Sequence, residues 1–214
     1  MDKFAKTDFY IMDAIKKRWS PRSFNTDKAK DETIKSEEKI QRIFEAARWA
    51  PSAYNAQPWR FIIGFRNDDT HKIIQRTLVD KNKSWAKDAF ALIIAIAKNT
   101  LDDNVTPNPT ALYDLGQSVA NMSLQATAEK LHMHQMAGFS AEEAIKLLEI
   151  PDGYTPVTAI ALGYRDSAFR LPHNLRTIEL TERERHPSRD FVFVKKFGEK
   201  TDLLKKAILY YMED

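Results

Sequence analysis

The 214-residue chain has no cysteine and only six glycines: Gly64, Gly116, Gly138, Gly153, Gly163 and Gly198. An average composition would give a chain of this length about fifteen. No two of the six lie closer than ten positions. This spacing excludes the G-x-G-x-x-G dinucleotide fingerprint and the G-x-x-x-x-G-K-S/T phosphate loop, which both need closely spaced glycines. A bound phosphate must therefore be held by side chains or by ordinary helix N-termini. The missing cysteines exclude disulfides, thiolate zinc sites, iron–sulfur clusters and a cysteine nucleophile. They also fit a reducing, cytoplasmic setting.

Charge of one sign is lacking as well: 33 Lys and Arg face 30 Asp and Glu, a formal net charge of +3. A nucleic-acid partner is not expected at so balanced a composition. Long apolar runs are absent; the longest, Ala89–Ala97, has nine residues, about half of a membrane span. The N-terminal residues carry no apolar signal region. What is present is a hydrophobic fraction of 43% with 11% aromatics, ample for a packed core. The expectation is one α+β or α/β domain over residues 1–214, with neither a membrane nor a nucleic acid as partner.

Helical and strand periods alternate along the chain. A helix is expected around Phe9–Lys17. Another starts at a Ser36 N-cap, carries Ile40, Ile43, Phe44 and Ala47 on one stripe, and stops before Pro51. Trp59–Phe65 reads as a strand, and Asp68 or Asp69 opens a short helix. Ala89–Ala97 is apolar at both parities and reads as a central strand covered on both faces. Thr110–His132 reads as one long helix with a wide apolar surface, suited to the core or to a subunit interface. Ser140 begins a capping box, and Pro156–Tyr164 is a further strand. Residues 165–190 are polar and poorly periodic. Phe191–Val194 reads as a late strand, followed by an amphipathic helix from Leu203 to Tyr211. So long an irregular stretch is unusual within a compact domain and makes more sense as a tail, about 165–195, wrapping a partner subunit.

Five constellations carry chemistry. In Arg18-Trp19-Ser20-Pro21-Arg22-Ser23-Phe24, Pro21 biases Ser20 to an extended backbone, which puts Arg18, Ser20 and Arg22 on one face. Guanidinium forks and a hydroxyl match phosphate oxygens, although a solvated arginine pair in a turn has the same signature. Ala50-Pro51-Ser52-Ala53-Tyr54-Asn55-Ala56-Gln57-Pro58-Trp59 is a rigid loop of uncharged hydrogen-bonding groups. It suits either ordinary turn chemistry or the edge of a polyol or heterocycle. The other three are Asn82-Lys83-Ser84-Trp85-Ala86-Lys87-Asp88-Ala89, Gln135-Met136-Ala137-Gly138-Phe139, and Arg183-Glu184-Arg185-His186-Pro187. The five histidines show no metal spacing beyond His132-Met133-His134, and no metal is expected.

Taken in order, these segments resemble the nitroreductase family of FMN-dependent NAD(P)H oxidoreductases. The likeness runs from about residue 11 to residue 195, and its most specific piece is the A-P-S-x-x-N-x-Q-P-W loop. The resemblance implies an α+β fold, a three-layer α/β/α sandwich. Its central sheet would be mostly antiparallel, with a C-terminal extension swapped onto the partner subunit. It implies a homodimer with FMN sites at the interface and the helix from Thr110 as the interface helix.

By the same resemblance, Arg18 and Ser20 hold the FMN phosphate with Trp19 beside them, and Arg22 lies near the flavin N1/O2 edge. Pro51, Ser52, Ala53 and Asn55 reach the cofactor from the other subunit. Asn82 lies on the pyrimidine edge, and the Ala137–Gly138 turn offers a backbone N–H to flavin N5. An acidic residue often stands in place of Ala137. Arg183 and Arg185 return to the phosphate, where many relatives have lysine at the first position. The implied activity is ping-pong: hydride passes from NADH or NADPH to flavin N5, and electrons then pass to a nitroaromatic, quinone or related small acceptor. No catalytic side chain is required, and none is assigned. Two other functions remain open at this point: a flavin protein without turnover, serving storage, sensing or fragmentation, and a non-flavin module binding acidic ligands.

Overall fold

The structure is a computed structural model that describes residues 3–27, 33–201 and 203. Its centre is a four-stranded sheet of β1 (Trp59–Phe65), β2 (Ala91–Lys98), β3 (His132–Met136) and β4 (Tyr154–Gly163), in the order β1-β2-β4-β3. All three pairings are antiparallel. All eight residues of β2 are buried, on both faces. This is what apolar residues at both parities require of a strand between two neighbours.

Two apolar layers cover the sheet. On one face α2 (Thr33–Arg48) and α5 (Ala111–Ala128) set Ile43, Leu115, Val119 and Met122 against Ile93, Ile160 and Leu162. On the other, α3 (Asp69–Thr77), α4 (Asp80–Ala86) and α7 (His173–Leu180) bring Ile74, Leu78, Trp85 and Leu175 against Leu92, Ile94 and Ala161. Of the short helices, α1 (Asp13–Lys17) packs against α5, and α6 (Ala141–Leu147) packs against α3 and β4 through buried Ala144. The fold is therefore the α+β three-layer sandwich expected from the resemblance. Among the described residues no helix is long and apolar enough to cross a membrane.

One glycine fixes how closely a helix approaches the sheet. A Cβ on Gly64 would stand 2.2 Å from the His71 backbone nitrogen and 2.6 Å from its Cα. Main chain cannot yield as a flexible side-chain tip can. Gly64→Ala is expected to lower unfolding stability by about 3 kcal/mol or more, measured by urea denaturation. A loss below about 1 kcal/mol would show that α3 sits on β1 more loosely than the geometry indicates.

Several sequence expectations are corrected. The first helix is Asp13–Lys17, shorter than Phe9–Lys17. Ser36 lies inside α2, because Thr33-Ile34-Lys35 contains no residue that prevents an earlier start. The expected long helix stops at Ala128, and His132–Met136 is the edge strand β3. Lys130 takes the left-handed conformation (φ 63°) normally given to glycine. Leu131 N donates to Ala126 O at 2.8 Å, closing a Schellman turn. A lysine there hides the helix end from a sequence reading. The polar tail contains the missed helix α7, whose period is broken by a buried charge, Glu179. Phe191–Val194 makes only an isolated bridge, Phe193 with Lys200. The helix expected from Leu203 lies outside the described residues, apart from Leu203 itself.

Candidate functional site

Helix α1 ends at Lys17, and Arg18 turns into extended backbone (φ −61°, ψ 124°). With Pro21 keeping the strand-like course, Arg18, Trp19, Ser20 and Arg22 all line one cavity of about 340 Å³. Arg183 and Arg185, some 160 residues later in the chain, line the same cavity. The two arginine segments, weak signals separately, form one cationic site.

Glu179 makes this convergence possible. Only 2% exposed, its carboxylate accepts the Arg22 N–H at 2.9 Å and the Ser23 N–H at 3.3 Å. It also lies 3.9 Å from the Arg22 guanidinium. Ser23 Oγ donates to Ser167 O at 2.7 Å, and Arg183 Nη1 donates to the carbonyls of Lys3 (2.6 Å) and Lys16 (3.2 Å). The expected dimer-wrapping stretch thus docks, as far as Arg183, on its own chain. Arg18 is half-buried, and its Nη1 reaches Ser20 Oγ at a long 3.4 Å. Burial, then the neighbouring Arg185, push the Arg18 pKa down. Burial, then Arg18 and Arg185, do the same to Arg183. The like charges of Arg18, Arg183 and Arg185 lower one another's pKa and so favour an anion between them.

Beside the arginines, Pro21 O accepts from Nδ1 of His134 on β3 at 2.9 Å. The same imidazole packs at a tilt of 43° against the Trp85 ring of α4, centroids 4.5 Å apart. Through that contact the Arg18–Arg22 segment continues to Asn82, one turn back on α4. The Asn82 side-chain NH2 donates to Gly138 O at 3.0 Å, and Val79 N donates to the same oxygen at 3.1 Å. A Cβ on Gly138 would stand 2.7 Å from Asn82 Nδ2, so the turn carries glycine because it presses on Asn82. Ala137 beside it is exposed. Asn82, Ala137 and Gly138 therefore form one corner.

The remaining candidates, Pro51, Ser52, Ala53 and Asn55, are elsewhere. Their loop leads into Trp59, which pairs with Ala97 and so lies at the Thr155 end of the sheet, on the β1 edge. His132, next to the arginine cavity, lies on the opposite edge at the Gly163 end. Loop and cavity occupy diagonal corners of one chain. The loop is nonetheless built with care: Tyr54, Asn55 and Gln57 all hold positive φ (53°, 55° and 44°). Such non-glycine conformations cost energy and persist only where surroundings hold them. Ser52 Oγ accepts the Gln57 N–H at 3.0 Å, and buried Asp114 of α5 accepts the Ala53 N–H at 3.1 Å. Tyr54 is 92% exposed and Trp49 70% exposed beside it.

The family model described as "Nitroreductase family" matches residues 15–83 and 67–164 of the chain. The chain belongs to the nitroreductase family. A solved structure described as an oxidoreductase containing FMN is 29% identical, with a TM-score of 0.82, covering 91% of this chain and 96% of its own. A Methanothermobacter thermautotrophicus protein, provisionally named NADH dehydrogenase/NAD(P)H nitroreductase, is 27% identical over 76% of this chain and 80% of its own length. An oxygen-insensitive NADPH nitroreductase of Helicobacter acinonychis is 36% identical over a shorter part, 37% of this chain and 36% of its own. This nitroreductase-family member is an oxidoreductase. Its donor set also fits the phosphate end of a flavin mononucleotide, with guanidinium forks and the Ser20 hydroxyl around a cavity. The Asn82–Gly138 corner adds amide groups of the kind a ring edge needs.

Four residues that shape the site have no distinct sequence signal. Glu179 could have been found by its helical phase with Leu175, but its charge argued against burial. His134 lies in an unrecognised edge strand, Asp114 is an acid in a helix's first turn, and Lys3 precedes every motif.

Proposed function

We propose that the protein binds FMN in the arginine cavity and passes electrons from NADH or NADPH to a small oxidised acceptor such as a nitroaromatic or quinone. The observation that carries the reading is the convergence of Arg18, Ser20 and Arg22 with Arg183 and Arg185 on one cavity. Bound FMN supplies reversible two-electron chemistry, hydride in and electrons out. The protein's part is to bind and orient. Arg18, Ser20, Arg183 and Arg185 hold the phosphate, with Trp19 packed alongside. Arg22 offers a fixed cation to the ring's N1/O2 edge, where reduction builds negative charge. Asn82 and the Ala137–Gly138 turn border the ring.

The diagonal placement of the 51–57 loop supports a homodimer in which each chain lends Pro51, Ser52, Ala53 and Asn55 to its partner's site. Outward-facing Leu112 and Tyr113 of α5 are exposed, and no charged residue stands between Asp114 and Glu129. With Trp49 and Tyr54 nearby, this is an apolar face of the kind subunit interfaces cover. The irregular residues after Arg185 would then lie across the partner.

Flavin fluorescence on titrating the purified protein with FMN is expected to show saturable binding. Steady-state oxidation of NADH or NADPH should then depend on an added quinone or nitroaromatic. Failure to bind FMN would sink the proposal. Binding with no turnover on any acceptor would leave a flavin carrier in place of an enzyme. Retention of flavin by a diluted monomer would remove the lent loop.

A further inference from the structure

We propose that Lys3 is an additional phosphate ligand, so that an ammonium group from the N-terminal arm completes the cation set of the four arginines. This rests on the FMN reading above. Lys3 lines the same cavity as Arg18, Arg22, Arg183 and Arg185, and several contacts hold it there. Its Nζ donates to Thr181 O at 2.6 Å and lies 4.9 Å from the centre of the Trp19 ring. Its carbonyl accepts from Arg183 Nη1 at 2.6 Å. Further along the arm, Ala5 N donates to Lys16 O at 2.9 Å, and Lys6 pairs with Glu182 at 2.5 Å. The arm is thus tied both to α1 and to the segment after α7.

The chemistry of the ammonium suits the role. It carries three N–H donors; Thr181 O takes one, leaving donors for an anion. Of the two carboxylates on the cavity, Glu182 is engaged by Lys6 at the surface, and Glu179 accepts the main-chain N–H groups of Arg22 and Ser23. Burial pushes the Lys3 pKa down, Glu179 opposes this, and Arg22 and Arg183 push it down further. Five cations converging on two carboxylates that are already engaged leave room for a phosphate dianion. Trp19, which the family likeness places beside the phosphate, also acts as the platform on which the ammonium rests.

The test compares FMN with riboflavin, which lacks the phosphate, in the full chain and in its Lys3→Met and Lys3→Arg variants. Lys3→Met removes the charge but keeps the carbonyl that holds Arg183. Its FMN affinity is expected to fall about tenfold, as for loss of one charge-assisted bond, with riboflavin affinity unchanged. Lys3→Arg should recover most of the loss. If Lys3→Met lowers both flavins alike, or lowers neither, Lys3 serves only the arm and the proposal fails. A parent protein that binds neither flavin overturns the cofactor reading and this proposal with it. A flavin-binding parent whose preference for FMN over riboflavin is undiminished in Lys3→Met overturns this proposal alone.

Discussion

Arg18→Ala is expected to weaken FMN binding by about 10- to 100-fold, the consequence of losing a charge-assisted contact of roughly 1.5–3 kcal/mol. The flavin-free protein is expected to move the other way. Arg18 stands beside Arg183 and Arg185, and its internal partner is Ser20 Oγ at a long 3.4 Å. Removing it relieves repulsion while giving up little, so the thermal midpoint of the flavin-free variant should hold steady or rise. Fluorescence titration and a melting curve on the same sample read the two effects. A residue that merely supports the fold would lower both. Loss of melting temperature without loss of FMN affinity would show that the arginines face one another for some purpose other than holding phosphate.

Acid is expected to destabilise the protein through His134. Its pKa is pushed down to about 4, mainly by burial; the Pro21 carbonyl opposes this, and the Arg22 cation adds to it. The unfolded chain, with an ordinary value near 6.5, takes up the proton first. Stability is therefore lost as pH falls from about 6.5 towards 4, by about 3 kcal/mol in all, and this contribution is level below that range. Urea unfolding of the parent and of His134→Gln across that range isolates the effect, since the exposed carboxylates titrate equally in both. The parent should lose about 3 kcal/mol more than the variant between pH 7 and pH 4. Parallel curves would mean that the imidazole is not held neutral. Because His134 ties β3 to Pro21 within the Arg18–Arg22 segment, FMN release from the folded protein is expected only near pH 4, where the native imidazole itself takes up the proton.

Much of the framework was legible in the residues. β1 falls on Trp59–Phe65 as its pattern requires, and Asp68 and Ser140 cap their helices with side-chain oxygens on His71 N and Glu143 N. The central strand β2 follows from apolar residues at both parities. What failed did so where the chain departs from local preference. Lys130 closes α5 in a conformation usually left to glycine, so the helix seemed to run into β3. Glu179 is buried in α7 because two main-chain N–H groups across the cavity need its carboxylate, and a local period cannot anticipate that.

The shortage of glycine settles one matter by itself: a chain without closely spaced glycines has no glycine-rich phosphate loop and leaves a phosphate to side chains or ordinary helix N-termini. It says equally that turns are made by other residues, and Tyr54, Asn55, Gln57, Asn67 and Lys130 at positive φ are those turns. Which cationic side chains share one cavity was decided by the tertiary structure. Arg18 and Arg185 are far apart along the chain, and no local propensity connects them. They meet because α7 packs beside the sheet and Glu179 fastens it to Arg22. The same packing sets the 51–57 loop on the far corner from the cavity. On the function proposed above, one chain would hold both halves of a flavin site, to be brought together by a second copy.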